Sequence, residues 1–312
     1  MTSIRPLVLA VVGPTATGKS DLALDLAEAI GGEVVNADAS QLYAGMDIGT
    51  AKVPLSQRRG IRHHQLDVLE VTQEASVAAY QAAAREDIAA VQARGAHPVV
   101  VGGSGLYVRA ALDHLEIPPT DPAVRSRLEA EGYAAGAPAM YARLREVDPV
   151  AAQAIQPNNL RRVIRALEVV ELTGRPFSAT MPAREHLQPT VMVGLRLPRE
   201  ALDERITARV RRMWADGLLD EVRELERRGL RRGRTASRAL GYAQALGELD
   251  GHLSEAEAME QTMAATRRYA RRQESWFGPD QRIEWLDAAD PELSARALGL
   301  VRTAIGDNGG HG

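Results

Sequence analysis

Apolar and polar residues follow two different periods along this chain, and together the periods predict helices packed on a sheet. Residues 7–12 are continuously apolar, as in a strand that is buried on both faces. Leu22, Leu26 and Ile30 then recur at helical spacing until the glycines at 31–32 end the helix. The first thirty residues are therefore predicted to form a strand, a turn and an amphipathic helix.

The same succession of strand and helix returns further along the chain. A helix is predicted at 76–94, and a glycine turn at 102–105 leads into another helix. Further strands are predicted at 33–36, 98–101, 190–197 and 281–286. Strands joined by helices in this order are typical of an α/β fold with a doubly wound parallel sheet, so we predict that class.

The strand pattern disappears between residues 119 and 189, where only helical patterns remain. Asp121 and Asp148 each precede a proline, which is typical of a helix start, and Asn159 precedes a third helical pattern. We therefore predict an all-helical insertion between two parts of a sheet core. The predicted boundaries are 1–118 for the first core part, 119–189 for the insertion, 190–306 for the second core part and 307–312 for a disordered tail.

The most specific motif of the chain follows the first predicted strand. It matches the full pattern G-x-x-x-x-G-K-[ST], with a strand before it and a helix after it. Backbone N–H groups of such a loop converge on phosphate oxygens, and the helix N-terminus adds positive charge. Lys19 is expected to hold a terminal phosphate and Ser20 to ligate Mg²⁺, within a P-loop NTPase-like core. The predicted phosphate-binding residues are Gly13, Pro14, Thr15, Ala16, Thr17, Gly18, Lys19 and Ser20.

Composition indicates a globular protein and excludes several chemistries. Among the 38 Lys and Arg residues only Lys19 and Lys52 are lysines, so a lysine inside the phosphate loop stands out against an arginine background. Cysteine is absent, which excludes disulfides, thiolate zinc sites and a cysteine nucleophile, and fits a cytoplasmic protein. No apolar span is long enough to indicate a membrane segment.

Asp38 is a candidate catalytic residue because it stands at the carboxyl end of the strand predicted at 33–36. Ligand chemistry in open parallel sheets gathers at those ends. The alternative for Asp38 taken alone is an Asx-turn residue. The long polar loop at 41–52 is predicted to be functional or disordered. His63 and His64 would point to opposite faces of an extended segment, so we expect packing or hydrogen-bonding roles rather than a shared metal.

Arginines cluster on three predicted helices between residues 151 and 278, where basic residues outnumber acidic ones although the whole chain carries a formal charge of −3. A polyanion would bind there, but solvated helices rich in Arg and Glu give the same pattern. The clusters are Arg161, Arg162 and Arg165; Arg205, Arg209 and Arg212; and Arg267, Arg268, Arg271 and Arg272 on a long helix that runs to Phe277.

These motifs together resemble one family, the tRNA dimethylallyltransferases, also called tRNA isopentenyltransferases. The resemblance extends from about residue 7 to residue 286 and is most specific at 45–52 and in the Arg-Arg-Gln helix. The zinc-finger extension of eukaryotic members is missing, so the chain looks like a bacterial-type member. The matching segments are 13–20, 36–38, 45–52, 60–68, 102–107, 158–168, 241–242 and 266–273.

The resemblance implies transfer of a dimethylallyl group from dimethylallyl diphosphate to the exocyclic N6 amine of the adenosine 3′ of the anticodon in tRNA, with release of diphosphate. The phosphate loop would bind the diphosphate leaving group with Mg²⁺ as cofactor, and Asp38 would be the general base. Ser20 and Arg209 are the other implied catalytic residues, with Arg205 as the alternative to Arg209 at the diphosphate. The expected partners are dimethylallyl diphosphate and the anticodon stem-loop, bound by a monomer without membrane contact.

A larger set of positions matches those that the family uses around its tRNA. Ser104 would lie near the substrate base, and Lys52 would face the diphosphate or the RNA backbone. The implied tRNA-binding residues are Asp38, Ala39, Ser40, Gln41, Lys52, Ser104, Asn159, Arg161, Arg162, Arg165, Gly241, Tyr242, Arg267, Arg268, Arg271 and Arg272.

Two other functions explain part of the pattern. A P-loop small-molecule kinase would bind ATP at 13–20 and use Asp38 as a base. It would not account for the arginine helices, or for a strand at 98–101 that ends in glycine where ordinary P-loop ATPases have a Mg²⁺-binding Asp. A non-catalytic RNA-binding protein with this fold would not need Lys19, Ser20 and Asp38 intact. The kinase would consume ATP without RNA, and the RNA-binding protein would turn over nothing.

Overall fold

The structure is a computed structural model that describes residues 6–180 and 184–309. The chain forms two compact units, one made of residues 1–112 and 186–312 and the other of residues 113–185. The second unit begins and ends a few residues before the insertion expected at 119–189. The unit ends before residue 189 because Leu187 N donates a backbone hydrogen bond to Leu112 O, which joins the returning chain to the end of a core helix.

A six-stranded sheet forms the centre of the first unit. Its strands are β1 (Val8–Val12), β2 (Gly32–Asn36), β3 (His63–His64), β4 (His97–Gly102), β5 (Thr190–Arg196) and β6 (Ile283–Asp287). Their order is β3-β2-β4-β1-β5-β6, and every neighbouring pair is parallel. The α/β class with a parallel sheet is therefore confirmed.

The helices of the first unit include those predicted after the phosphate loop, at 76–94, after the glycine turn at 102–105 and up to Phe277. They are α1 (Lys19–Ile30), α2 (Val77–Ala93), α3 (Gly105–Leu112), α7 (Arg199–Ala215), α8 (Leu218–Arg227), α9 (Tyr242–Leu249), α10 (Glu255–Phe277) and α11 (Leu293–Gly309). The three helices between α3 and α7 belong to the second unit.

The core lies on both sides of the central strand β1, whose five residues are all buried. Val11 pairs in register with Val101 of β4 and with Val193 of β5. Leu22 and Leu26 of α1 pack into the same apolar cluster as Val11 and Val193. This packing fixes α1, and with it the phosphate loop, against the middle of the sheet.

The parallel arrangement brings the carboxyl ends of β1, β2 and β4 to one edge of the sheet. The phosphate loop follows β1, Asp38 follows β2, and a second glycine turn follows β4. Gly102 permits the close approach of β2, because a Cβ there would lie 2.4 Å from Ala37 O. The fold therefore gathers the candidate site residues of the first unit at a single edge.

The second unit contains three helices: α4 (Pro122–Val147), α5 (Pro149–Ala154) and α6 (Leu160–Thr173). Asp121, Asp148 and Asn159 cap them as expected, since each side chain accepts a backbone N–H from the first turn. Gly136, with a φ of 81°, kinks α4. No strand occurs among the residues of this unit that the structure describes, in agreement with an all-helical insertion.

A buried carboxylate organises the start of the second unit. The Glu168 side chain is fully buried and accepts from Thr120 Oγ1 at 2.7 Å, Asp121 N at 3.0 Å and Arg165 Nη1 at 2.8 Å. Arg125 donates to Oε2, the same oxygen that accepts from Arg165, whereas Thr120 and Asp121 donate to Oε1. Burial raises the pKa of Glu168, but the four hydrogen bonds outweigh it and lower the pKa to about 2. Glu168 therefore stays ionised and fastens α6 to the N-terminus of α4.

The structure describes only part of the tail expected at 307–312. Residues 307–309 continue α11 instead of belonging to a disordered tail, and residues 310–312 lie outside the described part. Within residues 6–180 and 184–309, no helix is both long and apolar enough to cross a membrane.

Candidate active site

The phosphate loop at 13–20 connects β1 to α1 through backbone conformations that favour glycine. Gly13 and Gly18 have φ of 133° and 87°. A Cβ on Gly13 would also lie 2.5 Å from Leu195 O of β5, so a side chain there is excluded sterically as well. Thr17 Oγ1 donates to Pro14 O at 2.9 Å and closes the loop on itself. The loop thus has the strand, turn and helix geometry that the motif requires.

Two cationic side chains converge on this loop. Lys19 Nζ donates to Pro14 O at 2.5 Å, and Arg209 Nη1 of α7 donates to Thr15 Oγ1 at 3.0 Å. Burial, together with the neighbouring Arg209, lowers the pKa of Lys19 to about 7. Burial also lowers the pKa of Arg209. Cations whose charge is disfavoured by burial gain most from a polyanionic ligand.

The Asp38 carboxyl group lies close enough to both cations to interact with them electrostatically. Asp38 Oδ1 accepts from Ser40 N at 2.9 Å, and Asp38 N donates to Asn36 Oδ1 at 3.0 Å. Asn36 in turn donates to Gln65 O at 2.9 Å. Burial raises the pKa of Asp38, while the Ser40 N–H and the two cations act against that shift. A fixed carboxylate with a raised pKa is suited to accept a proton near neutral pH.

The second glycine turn adds a hydroxyl group beside Asp38. Ser104 Oγ accepts from Ala39 N at 3.5 Å and lies 3.4 Å from Tyr269 Oη of α10. Burial and the charge of Asp38 raise the pKa of Tyr269 to about 12, so its hydroxyl stays protonated. Gln273, one turn further along α10, contacts both Gly103 and Thr15. α10 therefore connects the two turns at this edge.

The arrangement brings together what displacement of a diphosphate requires. A phosphate loop, two cations that contact it and a neighbouring carboxyl group occupy one partly buried edge of the sheet. The cations can stabilise a leaving group, and the carboxyl can take a proton from a nucleophile.

Comparison with known proteins identifies the family. The sequence model of a family described as IPP transferase matches residues 41–280. A tRNA dimethylallyltransferase of Kineococcus radiotolerans is 59% identical, with 96% of this chain and 97% of the relative aligned. That of Thermobifida fusca is 58% identical over 94% of each chain. The chain belongs to the tRNA dimethylallyltransferase family.

Solved structures agree with this assignment. The full-length tRNA isopentenylpyrophosphate transferase of Bacillus halodurans matches with a TM-score of 0.72 and 36% identity, covering 98% of both chains. A eukaryotic dimethylallyltransferase described as acting on tRNA matches with a TM-score of 0.84 and 28% identity, covering 97% of this chain and 80% of that one. The resemblance inferred from the motifs and the P-loop-like fold are both confirmed. The small-molecule kinase and the non-catalytic RNA-binding protein gain no support.

Within this tRNA dimethylallyltransferase-family chain, the structure distinguishes Arg209 from Arg205. Arg209 reaches the phosphate loop at Thr15, whereas Arg205 is exposed and donates to Ala288 O at 3.5 Å. Diphosphate binding by either arginine stays a prediction, and the contact with Thr15 favours Arg209 over Arg205.

Lys52 also differs from the expectation that it faces the diphosphate or the RNA backbone. Its side chain is 2% exposed, and Nζ donates to Tyr43 O at 3.0 Å and to Asp47 and Asp67 at 2.6 Å each. These three acceptors use all three donors of the ammonium group. Lys52 instead fastens the loop at 45–52 to the segment that carries Asp67.

Tyr242 is a core residue rather than an RNA contact. Its side chain is fully buried, and its hydroxyl donates to Glu221 Oε1 at 2.6 Å. Glu221 also accepts the backbone N–H groups of Asp47, Ile48 and Gly49. Gly241, the other residue of this pair, caps α9 and donates its N–H to Gln244 Oε1. Tyr242 therefore supports the loop at 45–52 from the interior through their shared partner Glu221.

The arginines of α6 divide into two kinds. Arg161 and Arg162 are exposed on the first turn, after the cap made by Asn159. Arg165 instead donates to Pro118 O, Pro119 O and Glu168, so its part in the unit is structural. These hydrogen bonds do not support the predicted RNA contact of Arg165, because its guanidinium is already bound within the second unit. For Arg161 and Arg162 the contact stays a prediction.

The long helix α10 shows a similar division. Arg268, Arg271 and Arg272 are exposed, and the Arg272 guanidinium lies 5.6 Å from the centre of the Tyr269 ring. Arg267 turns inward and donates to Thr207 Oγ1 of α7 at 2.8 Å. RNA binding by the three exposed arginines stays a prediction, whereas Arg267 joins two helices.

Three of the remaining expected positions lie next to the carboxyl group of Asp38. Ala39, Ser40 and Gln41 form a short 3₁₀ turn directly after Asp38, and Gln41 Nε2 donates to Thr50 O at 3.1 Å. His63 and His64 have the expected hydrogen-bonding roles, since His63 contacts Ile61 O and His64 contacts Glu33.

Sequence interpretation named neither Tyr269 nor Gln273 as a site residue. Both belong to the matching segment 266–273, and their spacing of four places them on one face of α10. The tRNA contacts predicted on this helix were all arginines. A signal in the sequence could have identified them. Tyr269 and Gln273 lie four residues apart and each follows a pair of arginines, so a second face of this helix also carries polar groups.

Proposed function

We propose that this protein transfers a dimethylallyl group from dimethylallyl diphosphate to the N6 amine of the adenosine 3′-adjacent to the anticodon in tRNA. The observation that carries the proposal is the grouping of Asp38, Lys19 and Arg209 around the phosphate loop. This grouping supports a base for the amine and two cations for the diphosphate at one edge of the sheet. The homology to enzymes named tRNA dimethylallyltransferase supports the same reaction.

In the proposed reaction the N6 lone pair forms a bond to the allylic carbon while the carbon–oxygen bond to the diphosphate breaks. The bonding electrons leave with the diphosphate oxygen. Lys19 and Arg209 stabilise the charge that grows there, which is the main way such a site lowers a barrier. Asp38 accepts the proton that N6 loses, a role that contributes roughly 10²- to 10⁴-fold in rate.

Ser20 is the residue that would hold Mg²⁺. It stands in the first turn of α1, directly after Lys19, and its hydroxyl is a hard oxygen ligand of the kind Mg²⁺ prefers. Among the described residues no group of three or more His, Cys, Asp or Glu side chains could hold a metal. The Ser20 hydroxyl would hold the ion together with phosphate oxygens and water, and the charge of the ion would offset that of the leaving diphosphate.

The RNA substrate must present an unstacked base, because the amine has to reach Asp38. Extruding a base costs a few kcal/mol, and phosphate contacts made elsewhere on the RNA offset that cost. The exposed Arg268, Arg271 and Arg272 on α10 are the proposed phosphate contacts of the first unit, and Arg161 and Arg162 those of the second.

The test is incubation of the protein with Mg²⁺, radiolabelled dimethylallyl diphosphate and an anticodon stem-loop that has adenosine 3′ of the anticodon. Label is expected in the RNA, and a stem-loop with guanosine at that position should receive none. ATP is incubated in parallel. ATP consumption without label in the RNA would overturn the proposal in favour of a kinase.

A further inference from the structure

One face of α10 contacts three consecutive residues of the second glycine turn. Gln273 Nε2 donates to Gly103 O at 2.8 Å, and the Tyr269 hydroxyl lies 3.4 Å from Ser104 Oγ. Trp276 covers Gly105, where a Cβ would lie 1.9 Å from Trp276 Cδ1. The absence of side chains at Gly103 and Gly105 allows α10 to pack closely against this turn.

Gln273 is the member of this face that also reaches the phosphate loop. Its Oε1 accepts from Thr15 N at 2.9 Å while its Nε2 donates to Gly103 O. The residue is 4% exposed, so water does not compete freely for these bonds. A side-chain amide can accept a hydrogen bond from the phosphate loop and donate one to the second glycine turn at the same time, whereas a carboxylate only accepts. Gln273 thus bridges the ends of β1 and β4.

Thr15 is held from two sides by this arrangement. Gln273 takes its backbone N–H, and Arg209 donates to its hydroxyl oxygen at 3.0 Å. Ala16, the next residue, has a φ of 66°, which is unfavourable for a residue with a side chain. A loop that contains such a residue keeps its shape only when its surroundings determine it. The two bonds to Thr15 are part of those surroundings.

We propose that Gln273 is a positioning residue that holds the phosphate loop in its diphosphate-binding conformation by tying Thr15 to Gly103. The inference rests on the proposed function, because the ligand concerned is dimethylallyl diphosphate. It separates two properties of α10: the buried face sets the affinity for the diphosphate, and the exposed arginines set the affinity for RNA. Loss of the Gln273 side chain should therefore lower the affinity for the diphosphate without changing the affinity for RNA.

The experiment compares Gln273→Met with Gln261→Met, the same substitution at an exposed position of the same helix. Methionine keeps the length of the side chain but loses both hydrogen bonds. We expect the KM for dimethylallyl diphosphate to rise about tenfold in Gln273→Met, as loss of a buried hydrogen-bond pair predicts, with a smaller change in kcat. The Kd for the anticodon stem-loop and all constants of Gln261→Met should match the wild type.

A second variant, Gln273→Glu, keeps an acceptor for Thr15 N but points a carboxylate oxygen at Gly103 O and adds a negative charge beside the loop. We expect its KM for the diphosphate to exceed that of Gln273→Met, with unchanged RNA affinity. An unchanged KM in either folded variant, or equal losses of RNA and diphosphate affinity, would overturn the inference. If Gln273→Met does not fold, the KM and RNA affinity of Gln273→Glu decide it.

The wild type and Gln261→Met also show which proposal has failed. If neither transfers label to RNA, the proposed function is wrong. If both transfer label and Gln273→Met has the same KM, the function stands and only the role of Gln273 is rejected.

Discussion

Single residues of the site are held in electrostatic states that they would not have in water. Burial lowers the pKa of Lys19 to about 7 and raises that of Asp38. Each shift disfavours a charge, and the attraction between the two groups only partly opposes it. The site is therefore prepared for charges that arrive with the substrate.

Replacing Asp38 with Asn should remove the base while keeping the shape of the side chain. We expect the single-turnover rate of transfer to fall by about 10²- to 10⁴-fold, because the amine then loses its proton to solvent. The Kd for the stem-loop, measured on the same preparation, should stay within about twofold. A loss of RNA affinity as large as the loss of rate would contradict the assignment of Asp38 as the base.

Arg209 and Arg205 lie one turn apart on α7 and provide a matched pair. Arg209→Ala should lower kcat/KM for dimethylallyl diphosphate by about 10²-fold, since a donor at the developing negative charge is lost. Arg205→Ala should stay near the wild-type value, because Arg205 is exposed and directed elsewhere. Steady-state kinetics on both variants test this expectation, and equal effects would disprove the distinction drawn from the Thr15 contact.

The lowered pKa of Lys19 predicts that diphosphate binding takes up a proton. At pH 8, above a pKa of about 7, the amine of the ligand-free protein is mostly neutral, and the bound anion favours the ammonium form. Calorimetry in two buffers of different ionisation enthalpy should show uptake of nearly one proton at pH 8 and little at pH 6. Lys19→Arg should show none at either pH, since a guanidinium stays protonated. Equal uptake by both proteins at pH 8 would contradict the prediction.

At the scale of elements, α10 combines two structural features. A capping box at Ser254 and Glu257 starts it, and Phe277 at its end is buried. One face contacts the two glycine-rich turns, and the other exposes arginines to solvent. The same helix therefore presents one face to the glycine-rich turns and exposes arginines, the predicted RNA contacts, on the other.

Arg271→Ala tests the exposed face. If Arg271 contacts one phosphate, the variant should bind the stem-loop more weakly, and the slope of log K against log salt should fall by about one unit. Arg302→Ala, an exposed arginine of α11 outside the predicted interface, is the control and should change neither quantity. An unchanged slope in Arg271→Ala would remove this residue from the backbone contacts.

At the scale of the whole molecule, the chain builds two units with separate cores. The sheet unit packs around β1, and the helical unit packs around Leu128, Leu144, Val163 and Leu167. The polar cluster around Glu168 belongs wholly to the helical unit. Stability of this unit can therefore be perturbed without touching the catalytic edge.

Glu168→Gln should destabilise the helical unit by about 1–3 kcal/mol at pH 7, because the arginines lose a charged acceptor. Hydrogen exchange in α6 should accelerate. All three tryptophans lie in the sheet unit, so their fluorescence transition should shift less. Since folding lowers the pKa of Glu168 to about 2 from an ordinary value near 4.5, its contribution is complete above pH 4.5. It is lost as pH falls towards 2.

Urea unfolding of both proteins at pH 7 and pH 3, followed by circular dichroism, measures that loss. The difference between the wild type and Glu168→Gln should shrink at the lower pH. A difference that is constant or larger at pH 3 would show that the charge of Glu168 is not what stabilises this unit.

Local patterns in the sequence determined the elements and the chemistry of the phosphate loop. Helix starts at Asp121, Asp148 and Ser254 follow from capping, which involves only neighbouring residues. The loop at 13–20 is contiguous, so its motif carries its own geometry. Asp38 could be placed because the end of a parallel strand is itself a local feature. For these reasons the fold class and the edge that holds the site were predictable.

Tertiary structure alone decided which polar residues face the site. Arg205 and Arg209 have the same helical spacing, and only the packing of α7 on the loop separates them. Lys52 and Tyr242 match the family motif, yet Asp67 and Glu221, distant in sequence, draw them into the interior. A charged or aromatic side chain has several possible partners. The one it takes depends on contacts between residues far apart in the chain, which local periodicity does not encode.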